Sequence, residues 1–364
     1  MLEFDFEALS ALGLTPELAS RAAMLEAEAH DKDDNRRYLA RIGEVHRETV
    51  VVHDGRGERS ARALPRLTRD LAEDATALAV GDWVLASADG YGQHWVAARV
   101  PPINHIVRRD GDGHRHPVVS NVDVAFLVMG VDDDFNPRRL ERFLALVQSD
   151  DIVPVVVLTK VDVATADAIG AHLAELRARF PAALDVVAVN ATHPSAAEAL
   201  RGYLERGRTL VMLGSSGAGK STLTNTLLGE QVQDTGAVRE HDGRGRHTTT
   251  SRSLHRLPCG ACVIDTPGLR TLRPDGGESA LADSFADIDA LAAQCRFRDC
   301  RHESEPGCAV REGVDSDRLR NYRKLLREVR RDSLTALDRR KQLAVWKARG
   351  REAAVRMKSK RGMQ

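Results

Sequence analysis

Eight consecutive residues carry the first recognisable chemistry. Gly214-Ser215-Ser216-Gly217-Ala218-Gly219-Lys220-Ser221 fit G-x-x-x-x-G-K-[ST], a phosphate-binding loop. Arg208–Gly214 in front reads as a short buried strand, and Lys220 onward reads as a helix closed by Gly229. The glycines let the backbone curl so that its N–H groups face a polyphosphate, which also sits at the positive end of the helix. Lys220 would reach the β- and γ-phosphates, Ser221 would hold Mg²⁺, and Thr222 completes the nucleotide-contacting set. A Gly/Ser turn that matches by chance is the alternative, and the flanking strand and helix argue against it.

Two further motifs belong with this loop. Asp265-Thr266-Pro267-Gly268 is a D-x-x-G at the end of an apolar strand, about 45 residues after the loop. There the Asp265 carboxylate can hold Mg²⁺ through water, and Gly268 leaves an N–H free to approach a γ-phosphate. Thr159-Lys160-Val161-Asp162 resembles the guanine-reading N-K-x-D motif. The Asp162 carboxylate can accept from guanine N1–H and N2–H₂, a donor pair that adenine lacks, while the Lys160 stem packs over the base. Thr in place of Asn at 159 weakens or removes one loop-fixing hydrogen bond. Asn190-Ala191 is expected as the second guanine loop, with Asn190 departing from the usual Ser. A strand ending in a charged turn is the alternative for 159–162.

The order of these motifs is itself informative. The base-reading motif precedes the phosphate loop by about 55 residues, the reverse of a Ras-like GTPase, so the domain is circularly permuted. The D-x-x-G loop then leads directly into the C-terminal region, a short covalent path for a nucleotide-dependent change. Gly243–Thr250 is the expected first switch, with Thr249 completing the Mg²⁺ shell. Leu269 stands where Ras has a water-orienting glutamine, which leaves His247 as the candidate to position water. An exposed loop histidine is the alternative reading of His247. Slow intrinsic hydrolysis is expected until a partner orders this loop.

Cys295-x₄-Cys300-x-His302-x₅-Cys308 offers three thiolates and an imidazole, enough to close a tetrahedral Zn²⁺ site. Four protein ligands leave no open position, so one structural zinc per chain is expected. Cys259-Gly-Ala-Cys262 lies at a Pro-Cys-Gly turn between two strands and reads as a hairpin, not a redox pair.

The rest of the chain must position these groups. It has 364 residues, with 53 basic and 53 acidic side chains, so net charge excludes nothing about partners. The ten Lys/Arg against one acid from Arg339 onward suit a phosphate backbone or a solvated tail. No apolar run is long enough for a membrane span, the N-terminus does not read as a signal peptide, and the cysteines suit a reducing compartment. Residues 1–35 read as a helical leader whose helix starts at Thr15-Pro16. Residues 36–107 carry short strands at the spacing of an OB-fold β-barrel. Arg36, Arg37, Arg41, Arg47, Arg56, Arg59, Arg62, Arg66 and Arg69 would serve RNA binding there, or are ordinary surface charge on a structural barrel. Strand–helix alternation over 108–290, with a capping box at Ser195–Glu198, predicts a mostly parallel sheet covered by helices. Residues 291–364 would hold the metal cluster, a long charged helix and the basic tail. The fold class is therefore α/β: an OB-like barrel, a permuted Ras-like P-loop domain and a helical zinc-binding domain.

Taken together, the barrel, the permuted T-K-x-D and G-x-x-x-x-G-K-S motifs, G-R-H-T-T-T, D-T-P-G and C-R-F-R-D-C-x-H…C closely resemble the ribosome small-subunit-dependent GTPase A family (RsgA/YjeQ) over about residues 36–335. The resemblance implies a cytoplasmic, monomeric GTPase that takes GTP to GDP and binds the small ribosomal subunit late in its assembly. It further implies that the subunit stimulates hydrolysis, that hydrolysis drives release, and that the barrel and zinc domain contact rRNA. By the same likeness, Lys220, Ser221 and Thr249 serve phosphate and Mg²⁺, His247 serves hydrolysis, Lys160 and Asp162 read guanine, and the Cys₃His set binds zinc. An RNA-binding assembly factor in which GTP is mainly a conformational ligand is the other reading, and an ATPase is a third.

Overall fold

A computed structural model describes residues 4–28, 37–109, 115–148, 151–180, 184–230, 252–266, 278–282 and 284–332. Two compact units make up the chain, residues 1–275 and 276–364.

The first unit opens with α1 (Phe6–Ser10) and α2 (Pro16–Glu28). Asp5 caps α1 by accepting from the Ala8 amide, and Thr15 caps α2 by accepting from Leu18. Leu9 and Leu18 of these helices, with Leu12 and Leu14 of the turn between them, pack with Leu39, Trp83, Leu85 and Val100 of the barrel and with Cys262 of the nucleotide domain. The leader is thus part of the core rather than an appendage.

Five strands form the barrel: β1 (Arg37–Val45), β2 (Val50–His53), β3 (Glu58–Ala63), β4 (Trp83–Ala88) and β5 (His94–Arg99). Their order is β1-β2-β3-β5-β4, closed by β4 pairing β1, with β3 and β5 parallel. Closure removes the edges. Between β3 and β4 lies α3 (Pro65–Glu73), a helix absent from the strand-only reading. Its Leu67 and Leu71, four apart on one face, join Ala40, Ile42, Val52, Val84 and Val96 in the barrel core. A hairpin also unforeseen, β6 (His105–Arg109) and β7 (Arg115–Ser120), leads onward.

The nucleotide domain follows with β8 (Val124–Gly130), α4 (Pro137–Gln148), β9 (Val153–Thr159), α5 (Ala166–Arg179), β10 (Asp185–Ala188), α6 (Ser195–Ala199), β11 (Thr209–Gly214), α7 (Lys220–Leu228), β12 (Ser253–Arg256) and β13 (Cys262–Asp265). The sheet runs β10-β9-β8-β11-β13-β12, parallel except for β12. β8 and β11 are buried along their whole length, as continuous apolar runs in a parallel sheet should be. The capping box expected at Ser195–Glu198 does not form. Ser195 lies inside α6, Pro194 takes the cap position, and the Ser195 hydroxyl instead pairs with the His193 ring.

β12 also pairs with barrel strand β1, Glu44 opposite Ser253, so the barrel and the nucleotide sheet are one hydrogen-bonded system. Arg41 of β1 secures this junction. It is 1% exposed and donates to the carbonyls of Leu12, Gly81 and Asn121 and to the Thr209 hydroxyl, while lying over the Trp83 ring. An RNA-facing role for Arg41 is therefore corrected. A long basic side chain with four buried acceptors serves as an internal cross-brace. Arg37 and Arg59 are paired with Glu26 and Asp54.

The second unit opens with α8 (Ser279–Ala282) and α9 (Ala286–Ala292). α10 (Ala309–Gly313) and α11 (Ser316–Asp332) follow. Arg318 of α11 is buried against the Phe285 ring and donates twice to Asp287, at 2.9 and 2.7 Å.

Candidate functional site

Every described nucleotide-motif residue sits at the carboxyl end of a parallel strand, along one edge of the sheet. The phosphate loop follows β11, the T-K-x-D motif follows β9, Asn190-Ala191 follows β10 and Asp265 ends β13. That edge is where open α/β sheets bind ligands.

The loop's backbone demands its glycines. Gly217 and Gly219 adopt φ of +83° and +90°, and a Cβ on Gly214 would lie 2.3 Å from the Val128 carbonyl of β8. Ser216 and Gly217 are exposed at the loop's tip, Ala218 is buried beneath it, and Ser221 and Thr222 stand in the first turn of α7. Lys220 Nζ donates back to the carbonyls of Gly214 at 2.9 Å and Ser215 at 2.6 Å, which holds the ammonium over the loop. Gly229, with φ of +73°, ends α7 by donating to Asn225 O.

Thr159 is fully buried, and its hydroxyl donates to Ala218 O at 2.6 Å, with Met129 O further away at 3.4 Å. The bond to the phosphate loop is thus short, and the weak one is that to β8. Lys160 follows with a left-handed φ of +61°, which turns the chain into the one-turn helix Val161–Val163 and leaves Asp162 exposed. Asn190 closes an Asx turn by accepting from the amide and hydroxyl of Thr192. Beside it, Ala191 O accepts from Thr226 of α7 at 2.6 Å. Both segments expected to read guanine are therefore bonded to the phosphate loop or its helix.

Asp265 is 3% exposed, and burial holds its carboxyl above the ordinary carboxylate range, with Lys220 and His255 opposing that shift. Thr266 donates to Met212 O at 2.8 Å and pins the start of the D-x-x-G loop. His247, Thr249 and Gly268 lie outside the described residues.

Sequence reasoning passed over the turn after β8. There Asp132 accepts from Lys160 Nζ at 2.7 Å and Asp134 accepts from the Ser215 hydroxyl at 2.5 Å. Three aspartates in a row read as a solvated turn. The available signal was their place directly after an apolar parallel strand, on the ligand-binding edge.

In the second unit, one ligand atom each from Cys295, Cys300, His302 and Cys308 lies within 4.8 Å of all the others. Cys295 Sγ is 3.9 Å from Cys308 Sγ and 3.6 Å from His302 Nδ1, which is 3.4 Å from Cys308 Sγ. A tetrahedral ion with ordinary Zn–S and Zn–N lengths sets such edges at about 3.8 and 3.6 Å. Burial, and then the Arg323 charge, lower the His302 pKa and favour the neutral imidazole that a metal requires. Glu305 braces the loop by accepting from the amides of Arg301, Glu303 and Ser304 at 2.8–3.1 Å. Its own amide together with these hold its pKa down at about 2. This cluster can hold a metal ion. Cys259 is exposed and Cys262 buried in the β12–β13 turn region, and neither is in a disulfide.

The comparisons with known proteins fit this geometry. A profile of the family described as RsgA GTPase matches residues 100–274. Relatives named small ribosomal subunit biogenesis GTPase RsgA are 48% identical in Xanthomonas axonopodis pv. citri and 49% in Xanthomonas campestris pv. campestris, each over 300 residues and 80% of both chains. The chain belongs to the RsgA GTPase family. As an RsgA GTPase it is a GTP-hydrolysing enzyme. YjeQ from Thermotoga maritima superimposes with a TM-score of 0.59 at 25% identity, covering 80% of this chain and 98% of that one. YloQ, titled a circularly permuted GTPase, shares the fold with a TM-score of 0.55 at 23% identity, covering 84% of this chain and all of that one. The permuted RsgA architecture accounts for a phosphate-loop strand that is central in the sheet yet late in the chain. Among the described residues no helix is long and apolar enough to cross a membrane.

Proposed function

We propose that this GTPase binds the small ribosomal subunit late in its assembly, that the subunit stimulates GTP hydrolysis, and that hydrolysis drives release. The observation that carries the reading is the 48–49% identity over 300 residues to relatives named for small ribosomal subunit biogenesis. The protein works as a cytoplasmic monomer, and rRNA is the surface that its barrel (36–107) and metal-binding region (291–364) meet. The leader spans 1–35 and the GTPase domain 108–290.

Roles at the nucleotide rest on the motifs, supported for the described residues by their position at the carboxyl ends of the parallel strands. Backbone amides of Gly214–Gly219, with Lys220 and Thr222, bind the phosphates. Asp162 and Lys160 recognise guanine, flanked by Thr159, Asn190 and Ala191. Ser221, Thr249 and, through water, Asp265 would hold Mg²⁺, which supplies charge neutralisation at the β- and γ-phosphates. Gly268 offers an amide to the γ-phosphate, and His247 orients the attacking water. Zn²⁺ is the ion of the Cys₃His cluster, because three thiolates and an imidazole at tetrahedral spacing suit it and leave no catalytic position open.

Nucleotide competition tests the guanine assignment. Asp162→Asn should abolish the preference for GTP over ATP. An unchanged preference would remove Asp162 from base recognition. Replacing His247 by Ala should leave subunit binding intact while cutting subunit-stimulated turnover by about a hundredfold or more. Unaltered turnover would send the catalytic role elsewhere.

A further inference from the structure

The turn between β8 and α4 is tied to both halves of the nucleotide site. The Val131 amide donates to Thr159 O at 3.1 Å, and Phe135 N closes the turn on Asp132 O at 2.8 Å. Asp132 receives Lys160 Nζ at 2.7 Å, and its other oxygen receives the Asp134 amide at 3.3 Å. Asp134 accepts the Ser215 hydroxyl at 2.5 Å on Oδ1 and the Gly130 amide at 3.3 Å on Oδ2, and Arg139 from α4 forms an ion pair with it.

We propose that Asp134 is a positioning residue for nucleotide binding: held by Arg139, its carboxylate fixes Ser215 and with it the first bend of the phosphate-binding loop. The proposal rests on reading residues 214–221 as that loop. Three observations support it. First, a carboxylate bordering a polyphosphate site repels the ligand unless neutralised, and the Arg139 guanidinium supplies that neutralisation. Second, Asp134 is not needed to cap α4, since Asn136 Oδ1 already accepts from the Arg139 amide at 3.2 Å. Third, the Asp134 side chain is only 15% exposed, so its hydrogen bond to Ser215 is sheltered from competing water.

The chemistry predicts a binding effect rather than a rate effect. Loss of the Ser215 anchor frees the loop before nucleotide arrives, and binding must then order it. The same cost falls on ground state and transition state, which raises KM and leaves kcat. Asp132 contributes less, because it and Lys160 are each about one-third exposed at the pair.

The test uses the full chain, with titration of a fluorescent GDP analogue and steady-state GTP turnover. Asp134→Ala should weaken GDP and raise KM for GTP by about tenfold, which is about 1.4 kcal/mol. Its kcat at saturating GTP should stay within about twofold of the parent. Asp134→Asn keeps an acceptor for Ser215 and should recover affinity to within about threefold of the parent. Ser215→Ala should match Asp134→Ala, and the double variant should be no worse than either, because one bond is removed twice. Asp133→Ala, at an exposed neighbour, should behave as the parent.

Parent-like affinity in Asp134→Ala, or losses that add fully in the double variant, would overturn the proposal. If Asp134→Ala does not fold, Asp134→Asn and Ser215→Ala decide the matter alone: equal tenfold losses in both, or no loss in Ser215→Ala, defeat it. Lys220→Ala separates the two levels of inference. If it abolishes binding while Asp134→Ala does not alter it, only the positioning role fails. If Lys220→Ala binds nucleotide as the parent does, the reading of the loop itself fails.

Discussion

Thr159→Val is the most informative single substitution at the guanine loop. Valine keeps the shape and removes only the hydroxyl, which donates to Ala218 O at 2.6 Å in a fully buried setting. Ala218 is itself fully buried, so its carbonyl would lose a partner that water cannot replace. Such a loss costs about 1–3 kcal/mol. The bond spans two loops that must both be in place for nucleotide, so the cost falls mainly on binding. GDP and GTP should weaken together by about 5- to 150-fold. Thr159→Ser keeps the donor and should stay within about threefold of the parent. Calorimetric titration of GDP into parent, Val and Ser variants measures this directly. Affinity of the Val variant within about twofold of the parent would show that the inter-loop bond does not organise the site.

Four other outcomes follow from the same structure. Arg41→Met leaves the carbonyls of Leu12, Gly81 and Asn121 and the Thr209 hydroxyl without their donor. It should destabilise the first unit by about 3–5 kcal/mol, seen as a lowered denaturation midpoint, and Arg41→Lys should not rescue it because one ammonium cannot span four acceptors. Asp265→Asn should raise the melting temperature of nucleotide-free protein by a few degrees, since a buried carboxylate is replaced by a neutral group, while abolishing GTP turnover. Cys300→Ser should lower metal content from about one per chain to near zero by elemental analysis. The Glu305 brace adds a pH dependence. Its folded pKa of about 2 lies below the ordinary 4.5, so its contribution is complete above 4.5 and vanishes as pH falls through 2. Glu305→Gln should remove that acid limb from the titration of the metal-binding loop, and an unchanged limb would assign it to another group.

The placement of the described motif residues was legible because each obeys a local rule. The phosphate loop needs glycine at positive φ, the guanine motif ends a buried strand, and four ligands within 14 residues (295–308) can meet by local folding. Residues whose roles depend on distant partners were not legible. Arg41 reads as one of many barrel arginines, and only the closure of leader, barrel and sheet around it turns it inward. Asp134 reads as a solvated turn until β8 and β11 are placed side by side. α3 was hidden because Leu67 and Leu71 are its only buried positions, too sparse to signal a helix among strands. At Ser195 the local signal was present, but Pro194 took the cap and the short helix left the box unused.

Phosphate release from GTP and from ATP, each with and without purified small ribosomal subunits, tests the central claim most directly. The account predicts slow turnover of GTP alone, strong stimulation by small subunits, and no such response with ATP. Equal turnover with and without subunits, or equal stimulation of ATP, would contradict it.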